Sequence, residues 1–369
     1  MTYLLLVVGF VVLVGGAEVL VRGASSLAVR TGLSPVVVGL TVVAFGTSAP
    51  ELAVSVGAAR SGQAGLAVGN VVGSNIANVL LVLGVSALVG GGLVVAQKVV
   101  RIDVPIMVVA SVVVVLLALD GRISGAGGGV LVAGIVVYVI WTVAAALRGD
   151  DDAVVAEYEE AFGTPSRRPV ALDLVQLVGG VLLLVLGSRW LVDSATDIAA
   201  TLGVSDLVIG LTVVAFGTSA PELATSIVAA LRGERDIAVG NVVGSNIFNL
   251  LSVLGVTAIV APGGLPVSDE ALRLDLPVML AVAVACLPIF FSGYQISRWE
   301  GALFTVYYVA YLAFLVLDAM GSGLRDPFAI VMGFFVIPLT VITLGIVGVR
   351  AWRNRVGPDG RGRRSTRTD

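Results

Sequence analysis

Two glutamates, Glu51 and Glu222, lie deep inside long apolar stretches of this 369-residue chain. A carboxylate in membrane hydrocarbon costs several kcal/mol, about 3 kcal/mol on insertion scales, so it normally faces a cavity or a partner. Each glutamate sits in the same peptide, GLTVVAFGTSAPELA, which spans Gly39–Ala53 and recurs unchanged as Gly210–Ala224. A single glutamate could be a hydrogen-bonded packing residue, but two in one repeated context indicate a shared cation site.

The residues around each glutamate offer the oxygen atoms that a hard cation prefers. Pro50 has no backbone N–H and disfavours helix at Ala49, so a broken helix here should free the carbonyls of Ala44 and Thr47 for an ion. Calcium takes about 6–8 oxygen ligands in flexible geometry, whereas magnesium wants a near-octahedral shell, and sodium accepts oxygen ligands with less charge. Because the chain has no His and one Cys, softer transition metals are disfavoured.

A second repeated block supplies polar side chains on a helix. AVGNVVGSNIAN at Ala67–Asn78 recurs as AVGNVVGSNIFN at Ala238–Asn249, with one Ala/Phe difference. Its polar members form a single stripe in each copy, at i, i+4 and i+8: Asn70, Ser74 and Asn78, then Asn241, Ser245 and Asn249. These side chains line the ion site or only join helices by hydrogen bonds; the second interpretation is favoured for Asn70 and Asn241, which lie farther along the helices.

The composition places these residues in a polytopic membrane protein. The chain is 57% hydrophobic and 13% charged, whereas a soluble domain carries about 25% charged residues. Apolar runs separated by Gly, Pro, Ser and charged residues predict eleven spans across a bilayer core of about 30 Å. Their approximate ranges are 3–22, 34–59, 65–90, 102–119, 125–147, 171–195, 205–231, 236–260, 274–292, 298–318 and 327–350.

The repeat predicts an inverted architecture. Each copy holds five spans, and an odd number of spans turns the second copy upside down, as in secondary transporters with a site between inverted repeats. We therefore expect an all-α membrane protein with two inverted five-helix repeats, 1–147 and 170–318. A short acidic linker, 148–169, should join them, and 319–369 should add one transmembrane helix and an Arg-rich tail.

Charges near the span ends predict the orientation. Lys and Arg are concentrated on the side that holds the tail, so the positive-inside rule places the N-terminus outside and the C-terminus in the cytoplasm of a cell-membrane protein.

Residues 3–22 are interpreted as a span and not as a signal peptide, because they lack a basic n-region. Two i, i+4 ion pairs, Glu18/Arg22 and Arg189/Asp193, are expected, and Asp103 and Asp275 should be N-terminal helix residues.

GTSAPE together with GNVVGSNIxN, present twice in inverted halves, resembles the cation/calcium antiporter superfamily and its prokaryotic sodium/calcium exchanger branch. The resemblance covers residues 1 to about 318 and implies a ten-helix core whose second, third, seventh and eighth spans enclose a midplane site. It implies that calcium binds Glu51, Glu222, Thr47 and Thr218. It implies that sodium binds Ser48, Ser219, Ser74 and Ser245 with the carbonyls of Ala44 and Ala215, and that Asn78 and Asn249 add amides.

The expected function is sodium-driven calcium exchange by alternating access. It needs no cofactor, nucleic acid or obligate protein partner, only Ca²⁺, Na⁺ and membrane lipid. Some relatives carry an Asp where this chain has Asn249, so a potassium requirement is disfavoured. A calcium/proton antiporter of the same fold is the main alternative, since either glutamate could titrate. A membrane enzyme would need a nucleophile–base pair, which is not visible, and a channel would conduct without a counter-ion.

Overall fold

The chain forms a bundle of long helices in a computed structural model that describes residues 2–148, 169–204, 206–209, 212–213, 215–291, 293–341 and 345. The helices of the first repeat are α1 (Thr2–Thr31), α2 (Pro35–Arg60), α3 (Ala64–Val89), α4 (Val99–Ala118) and α5 (Gly125–Ala146). Those of the second repeat are α6 (Val170–Thr201), α7 (Asp206–Ile209, Ala215–Thr218 and Ala220–Leu231), α8 (Arg235–Val260), α9 (Ala271–Phe291) and α10 (Arg298–Ala319). A final helix, α11, covers Arg325–Val331 and continues through the π-helical turn Met332–Val336.

The predicted all-α membrane architecture is confirmed. Among the described residues, nine helices are each long and apolar enough to cross a membrane, and α7 adds the shorter apolar piece Ala220–Leu231. The first helix runs to Thr31, beyond the predicted end at residue 22, because the charged residues of its last turns have ion-pair partners. The acidic linker (149–168), the end of the eleventh span and the Arg-rich tail lie outside the described residues.

Two short strand pairs show that the repeats are inverted. The loop after α3 carries β1 (Leu93–Val94), which pairs with β4 (Gln295–Ile296) in the loop after α9. The loop after α4 carries β2 (Arg122–Ile123), which pairs with β3 (Leu265–Pro266) in the loop after α8. A loop that follows the third helix of one repeat thus meets a loop that follows the fourth helix of the other. This pairing requires opposite orientations, and it defines a β1–β4 side and a β2–β3 side of the bundle.

Helices α1 and α6 form a closely packed pair that spans the bundle. A Cβ at Gly16 would lie 2.8 Å from the backbone nitrogen of Leu184, and one at Gly180 would lie 2.7 Å from that of Leu20. Only glycine permits this approach of the two backbones, which is the small-residue packing typical of membrane helices. The two longest helices therefore behave as one packed unit beside the rest of the bundle.

The centre of the bundle is built from α2, α3, α7 and α8. The most apolar stretch of α8 is 83% buried and that of α3 is 78% buried, whereas that of α10 is only 11% buried. Helix α8 packs against α2 so closely that a Cβ at Gly244 would lie 2.7 Å from the Leu40 carbonyl oxygen. The two repeated sequence blocks therefore occupy the four innermost helices.

Candidate cation site

Each glutamate stands in the first turn of a helix that begins in the middle of the bundle. In α2 the helix Ala49–Arg60 starts after Ser48, whose φ and ψ are −82° and −1°, and in α7 the helix Ala220–Leu231 starts after Ser219, at −88° and 3°. Glu51 and Glu222 follow the prolines of these first turns and are fully buried. The positive end of a helix dipole favours a carboxylate at this position.

The interruption in each helix is shorter than the sequence predicts. The backbone N–H of Ser48 donates to the Ala44 carbonyl at 3.0 Å, so the expectation that this carbonyl is freed is wrong in this conformation. The i→i−4 rule explains the error, because the N–H that Pro50 lacks would bond the carbonyl of Gly46. In the second repeat the matching Gly217 carbonyl accepts the Ser188 hydroxyl at 2.6 Å. Release of the Thr47 carbonyl stays a prediction.

Buried oxygen atoms without a hydrogen-bond partner are concentrated on the predicted ligands. No donor lies in bonding geometry to any of the four carboxylate oxygens of Glu51 and Glu222. Buried polar atoms on several of the other predicted ligands also have no hydrogen-bond partner, namely the acceptors Ser48 Oγ, Ser219 Oγ, Ser74 Oγ, Asn78 Oδ1 and Asn249 Oδ1, and the donor Asn249 Nδ2. Buried polar groups are nearly always satisfied, so such a cluster needs an explanation, for example an ion. Among the described residues, no three or more His, Cys, Asp or Glu side chains form a group that could hold a metal ion, and this site has only its two carboxylates.

The predicted ligands of the two repeats meet at this point. The Thr47 hydroxyl of α2 donates to Asn241 Oδ1 of α8 at 3.0 Å and lies 3.2 Å from Ser245 Oγ. The Asn78 amide of α3 donates to Asn246 Oδ1 of α8 at 3.2 Å. Because Asn241 also donates to the Glu222 carbonyl, at 3.4 Å, the Thr47 hydroxyl of the first repeat lies beside the glutamate turn of the second. In α7, the short helix Ala215–Thr218 starts and ends with predicted ligands, and Thr218 is half-buried.

Two asparagines outside the predicted ligand set contact the turns that carry the glutamates. Asn70 Nδ2 donates to Ser55 Oγ at 3.0 Å and to the Glu51 carbonyl at 3.4 Å. Asn241 Nδ2 makes the same two bonds in the second repeat, to Ser226 Oγ and the Glu222 carbonyl. The sequence signal for them was their place in the polar stripe of each repeated block.

Helix geometry is also irregular at the two asparagines that are predicted as amide ligands. Asn78 is the first residue of the π-helical turn Asn78–Leu83, and Asn249 is the first residue of Asn249–Val253. Such turns inside α-helices occur frequently at functional sites. Neither block contains a residue that marks the π turn, so the sequence did not predict it.

The predicted charged residues have a mixed outcome. Glu18 and Arg22 form the expected pair at 2.6 Å, and Glu18 also contacts Arg232 in the turn between α7 and α8, which the sequence did not predict. Asp103 and Asp275 lie near the N-terminal ends of α4 and α9, each as the last residue of the π-helical turn that precedes the regular α-helix, and Asp103 makes no side-chain cap bond there. Their carboxylates instead accept the hydroxyls of Tyr138 and Tyr311, at 3.0 and 2.9 Å.

Known proteins share both the sequence and the fold of this chain. A family model described as sodium/calcium exchanger protein matches residues 1–144 and 172–317. The chain is 39% identical to the putative antiporter CaxA of Alkalimonas amylolytica over 76% of this chain and 87% of the relative. It is 34% identical to the sodium/calcium exchanger MaX1 of Methanosarcina acetivorans over 78% of this chain and 90% of the relative.

A solved structure of the sodium-calcium exchanger NCX_Mj, soaked without Na⁺ and Ca²⁺, superposes on this chain with a TM-score of 0.71. The two are 31% identical, and the match covers 85% of this chain and 98% of that structure. The sequence matches over both halves of the chain and the shared fold thus lead to one assignment. The chain is a membrane transporter and belongs to the sodium/calcium exchanger protein family.

Proposed function

We propose that this transporter exchanges Na⁺ for Ca²⁺ across the cell membrane by alternating access at a site shared by Glu51 and Glu222. The observation that carries the proposal is the cluster of buried oxygen atoms without donors, which draws on both inverted repeats. Two carboxylates with hydroxyl and amide oxygens form the hard, all-oxygen ligand set that calcium and sodium prefer. The printed names of MaX1 and NCX_Mj describe exchange of the same two ions.

The charges of the site account for obligate exchange. Without a cation the two buried carboxylates carry a charge of −2 in a medium of low dielectric, which opposes a change of conformation. One Ca²⁺ neutralises that charge, and Na⁺ ions do so through an overlapping set of ligands, so the two substrates compete. If three Na⁺ exchange for one Ca²⁺, one net charge crosses in each cycle. The membrane potential then contributes about 2.3 kcal/mol per 100 mV.

The proposed orientation places the β1–β4 side in the cytoplasm. Lys98 lies between α3 and α4, Arg101 lies in the first turn of α4, and Arg298 starts α10, all on that side, whereas Arg122 lies on the β2–β3 side. The positive-inside rule favours the basic side as cytoplasmic. Calcium extrusion then corresponds to release at the β2–β3 side.

The alternative is calcium/proton exchange at the same two glutamates. A buried carboxylate without a donor can be neutralised by a proton as well as by a cation, so Glu51 and Glu222 suit both mechanisms. The GN-containing helices α3 and α8 carry Ser74 and Ser245 in their repeated block, and no acid occurs in either copy of that block. Proton-coupled branches usually place a further acid there, which favours sodium as the coupling ion.

Radiolabelled calcium uptake into proteoliposomes tests the proposal. Vesicles are loaded with Na⁺ or with an impermeant organic cation at equal internal and external pH. Uptake only into the sodium-loaded vesicles, unchanged by a protonophore under a potential clamp, is the expected result. Uptake that instead requires an imposed proton gradient would contradict sodium coupling and support calcium/proton exchange. Glu270→Gln, which removes an exposed carboxylate directly before α9, is the matched control for Glu51→Gln and Glu222→Gln.

A further inference from the structure

One amide in each repeat holds the helical turn that bears the glutamate. Asn70 Nδ2 bonds both ends of the turn from Glu51 to Ser55, the glutamate carbonyl at 3.4 Å and the serine hydroxyl at 3.0 Å. Asn241 repeats this arrangement on the turn from Glu222 to Ser226 with the same distances. The same contact, from an asparagine amide to the glutamate carbonyl and the serine hydroxyl, therefore occurs in both repeats.

The two ends of this contact belong to elements that carry different ligands. The acceptors lie on the helix of the glutamate, and each asparagine lies four residues before the predicted ligand serine of the next helix, Ser74 or Ser245. The amide thus fixes the rotation of the glutamate turn relative to the serine and asparagine stripe. An interrupted helix gains from such a tie, because Pro50 and Pro221 remove one backbone hydrogen bond just before it.

Asn241 makes one bond more than its counterpart. Its Oδ1 accepts the hydroxyl of Thr47, a predicted calcium ligand of the other repeat, at 3.0 Å. Asn241 is fully buried, whereas Asn70 is half-buried. In this conformation Asn241 therefore connects the glutamate turn of the second repeat to the threonine of the first, across the interface where the ions would bind.

We propose that Asn70 and Asn241 are positioning residues of the cation site, which hold the two glutamates at the separation that calcium requires. The inference rests on the proposed function of Glu51 and Glu222 as ion ligands. Calcium must gather many oxygen atoms at once, so a rotated glutamate turn weakens calcium binding more than it slows the conformational change. Asn241 has the larger effect of the two, because its loss also releases Thr47.

The test compares matched asparagines on the same helices. Asn241→Ala and Asn70→Ala remove the amide, Ser226→Ala removes one acceptor, and Ser226→Thr restores a hydroxyl. Asn75→Ala is the control, because this buried α3 asparagine donates to the carbonyl of Val71 in its own helix, at 2.7 Å. For each purified protein, the calcium KM and Vmax are measured in sodium-loaded proteoliposomes, and the calcium Kd and the melting temperature in detergent.

Asn241→Ala should raise the calcium KM and Kd by about fivefold to tenfold, with a smaller rise for Asn70→Ala, as expected for lost hydrogen bonds at a buried site. The double variant Asn241→Ala/Ser226→Ala should lose less calcium affinity than the two single losses added together. Ser226→Thr, which keeps a hydroxyl, should retain most of the affinity that Ser226→Ala loses. Asn75→Ala should leave both constants within about twofold of wild type. A purely structural role would lower the melting temperature of all variants without separating their calcium constants.

The outcomes separate this inference from the proposed function. Unchanged calcium KM and Kd in Asn241→Ala, beside normal wild-type exchange, overturn the positioning role and leave the exchanger intact. Wild-type protein that binds calcium without sodium-driven uptake overturns the proposed function, and the calcium Kd of the variants then still decides the positioning role. Wild-type protein that neither binds nor transports calcium overturns both.

Discussion

The two copies of GLTVVAFGTSAPELA have identical sequences and different surroundings. In the helix that begins near the end of the first copy, Ala49–Arg60, only Glu51, Ser55 and Ala59 of twelve residues are buried. In the corresponding helix of the second copy, Ala220–Leu231, eight of twelve are buried, including Glu222 and Ser226. The position of Val54, 49% exposed, is taken in the second repeat by Thr225, which is fully buried. Within the identical peptide itself, Ala53 is exposed whereas its counterpart Ala224 is buried, so sequence identity does not fix the environment of these helices.

The two sides of the bundle also differ in how tightly charged residues are held, and the second repeat has the more tightly held turn. At the β1–β4 side, the turn between α7 and α8 is tied to α1 through Glu18–Arg232 and through the Ser25 hydroxyl, which donates to Glu234 at 2.8 Å. At the β2–β3 side, the matching charged pair of α6, Arg189 and Asp193, is 79% and 69% exposed, and its two charges lie 3.9 Å apart. Arg60, at the end of α2, is exposed as well.

This difference indicates that the bundle is closed on the β1–β4 side and looser on the β2–β3 side. Because the repeats are inverted, a second conformation can exchange the two environments while the chain keeps its ten-helix core. The contacts that the two repeats do not share should set the balance between the conformations, and those that they share should hold the site in both.

The largest expected effect comes from the residues that the repeats share. Glu51→Gln and Glu222→Gln should each reduce calcium exchange to below about a hundredth of wild type, because each removes a charged ligand, and even second-shell changes cost about 10–100-fold at metal sites. Uptake assays on correctly folded, monodisperse protein check this. An equal loss of exchange in Glu51→Gln, on the more exposed helix, and in Glu222→Gln, on the more buried helix, supports one site for both conformations. Normal calcium flux in either variant contradicts it.

A smaller effect is expected at Asn249, which is fully buried. Asn249→Asp adds a third carboxylate to the proposed site, in the second repeat only, and calcium and sodium sites are tuned by ligand charge. The dependence of exchange on sodium or potassium should shift by about tenfold, with unchanged expression. The measurement is the sodium and potassium concentration dependence of calcium uptake, with Asn75→Asp as a control. Unchanged dependence would remove Asn249 from the ligand set.

The single difference between the second blocks should bias the two conformations. Phe248, which replaces Ala77 of the first repeat, packs against Phe45 with ring centroids 5.9 Å apart and an interplanar angle of 60°. Aromatic pairs contribute about 0.5–1.5 kcal/mol, so Phe248→Ala should shift the conformational equilibrium by about twofold to tenfold.

Labelling of a single cysteine at Val54 or Thr225 in a Cys286→Ala background measures that shift. Phe248→Ala should increase labelling at Thr225→Cys and decrease it at Val54→Cys. Ala77→Phe, which gives the first repeat the same ring, should act in the opposite direction. A shift of the same sign in both variants would show that the ring pair does not distinguish the repeats.

The weakest expected effect is at the charged contact on the β1–β4 side. Partly exposed ion pairs contribute about 1 kcal/mol or less, so Glu18→Gln should increase labelling at Thr225→Cys by about fivefold at most. Asp193→Asn, on the exposed pair of α6, is the matched control and should change labelling little. Equal effects of the two substitutions would contradict the difference between the two sides.

The inverted fold and the pairing of the two glutamates in one candidate site could be predicted, because the sequence repeat constrains both. Five spans per copy imply inversion, and a buried acid in each copy implies a joint site. The finer features depend on packing that a sequence does not state. The Ala44 carbonyl is hydrogen-bonded because the helix breaks only at Ser48, and Asp103 and Asp275 meet tyrosines because α4 and α9 begin with π turns. The unequal burial of two identical peptides has no sequence signal.

Direct calcium binding to purified protein tests the central claim most closely. Isothermal titration in detergent, with and without sodium, should give one calcium per wild-type chain, displaced by sodium. Glu51→Gln and Glu222→Gln should each lose this binding while Glu270→Gln keeps it. Calcium binding of wild-type affinity in either glutamine variant, or binding that sodium does not displace, would contradict a single site shared by the two inverted repeats.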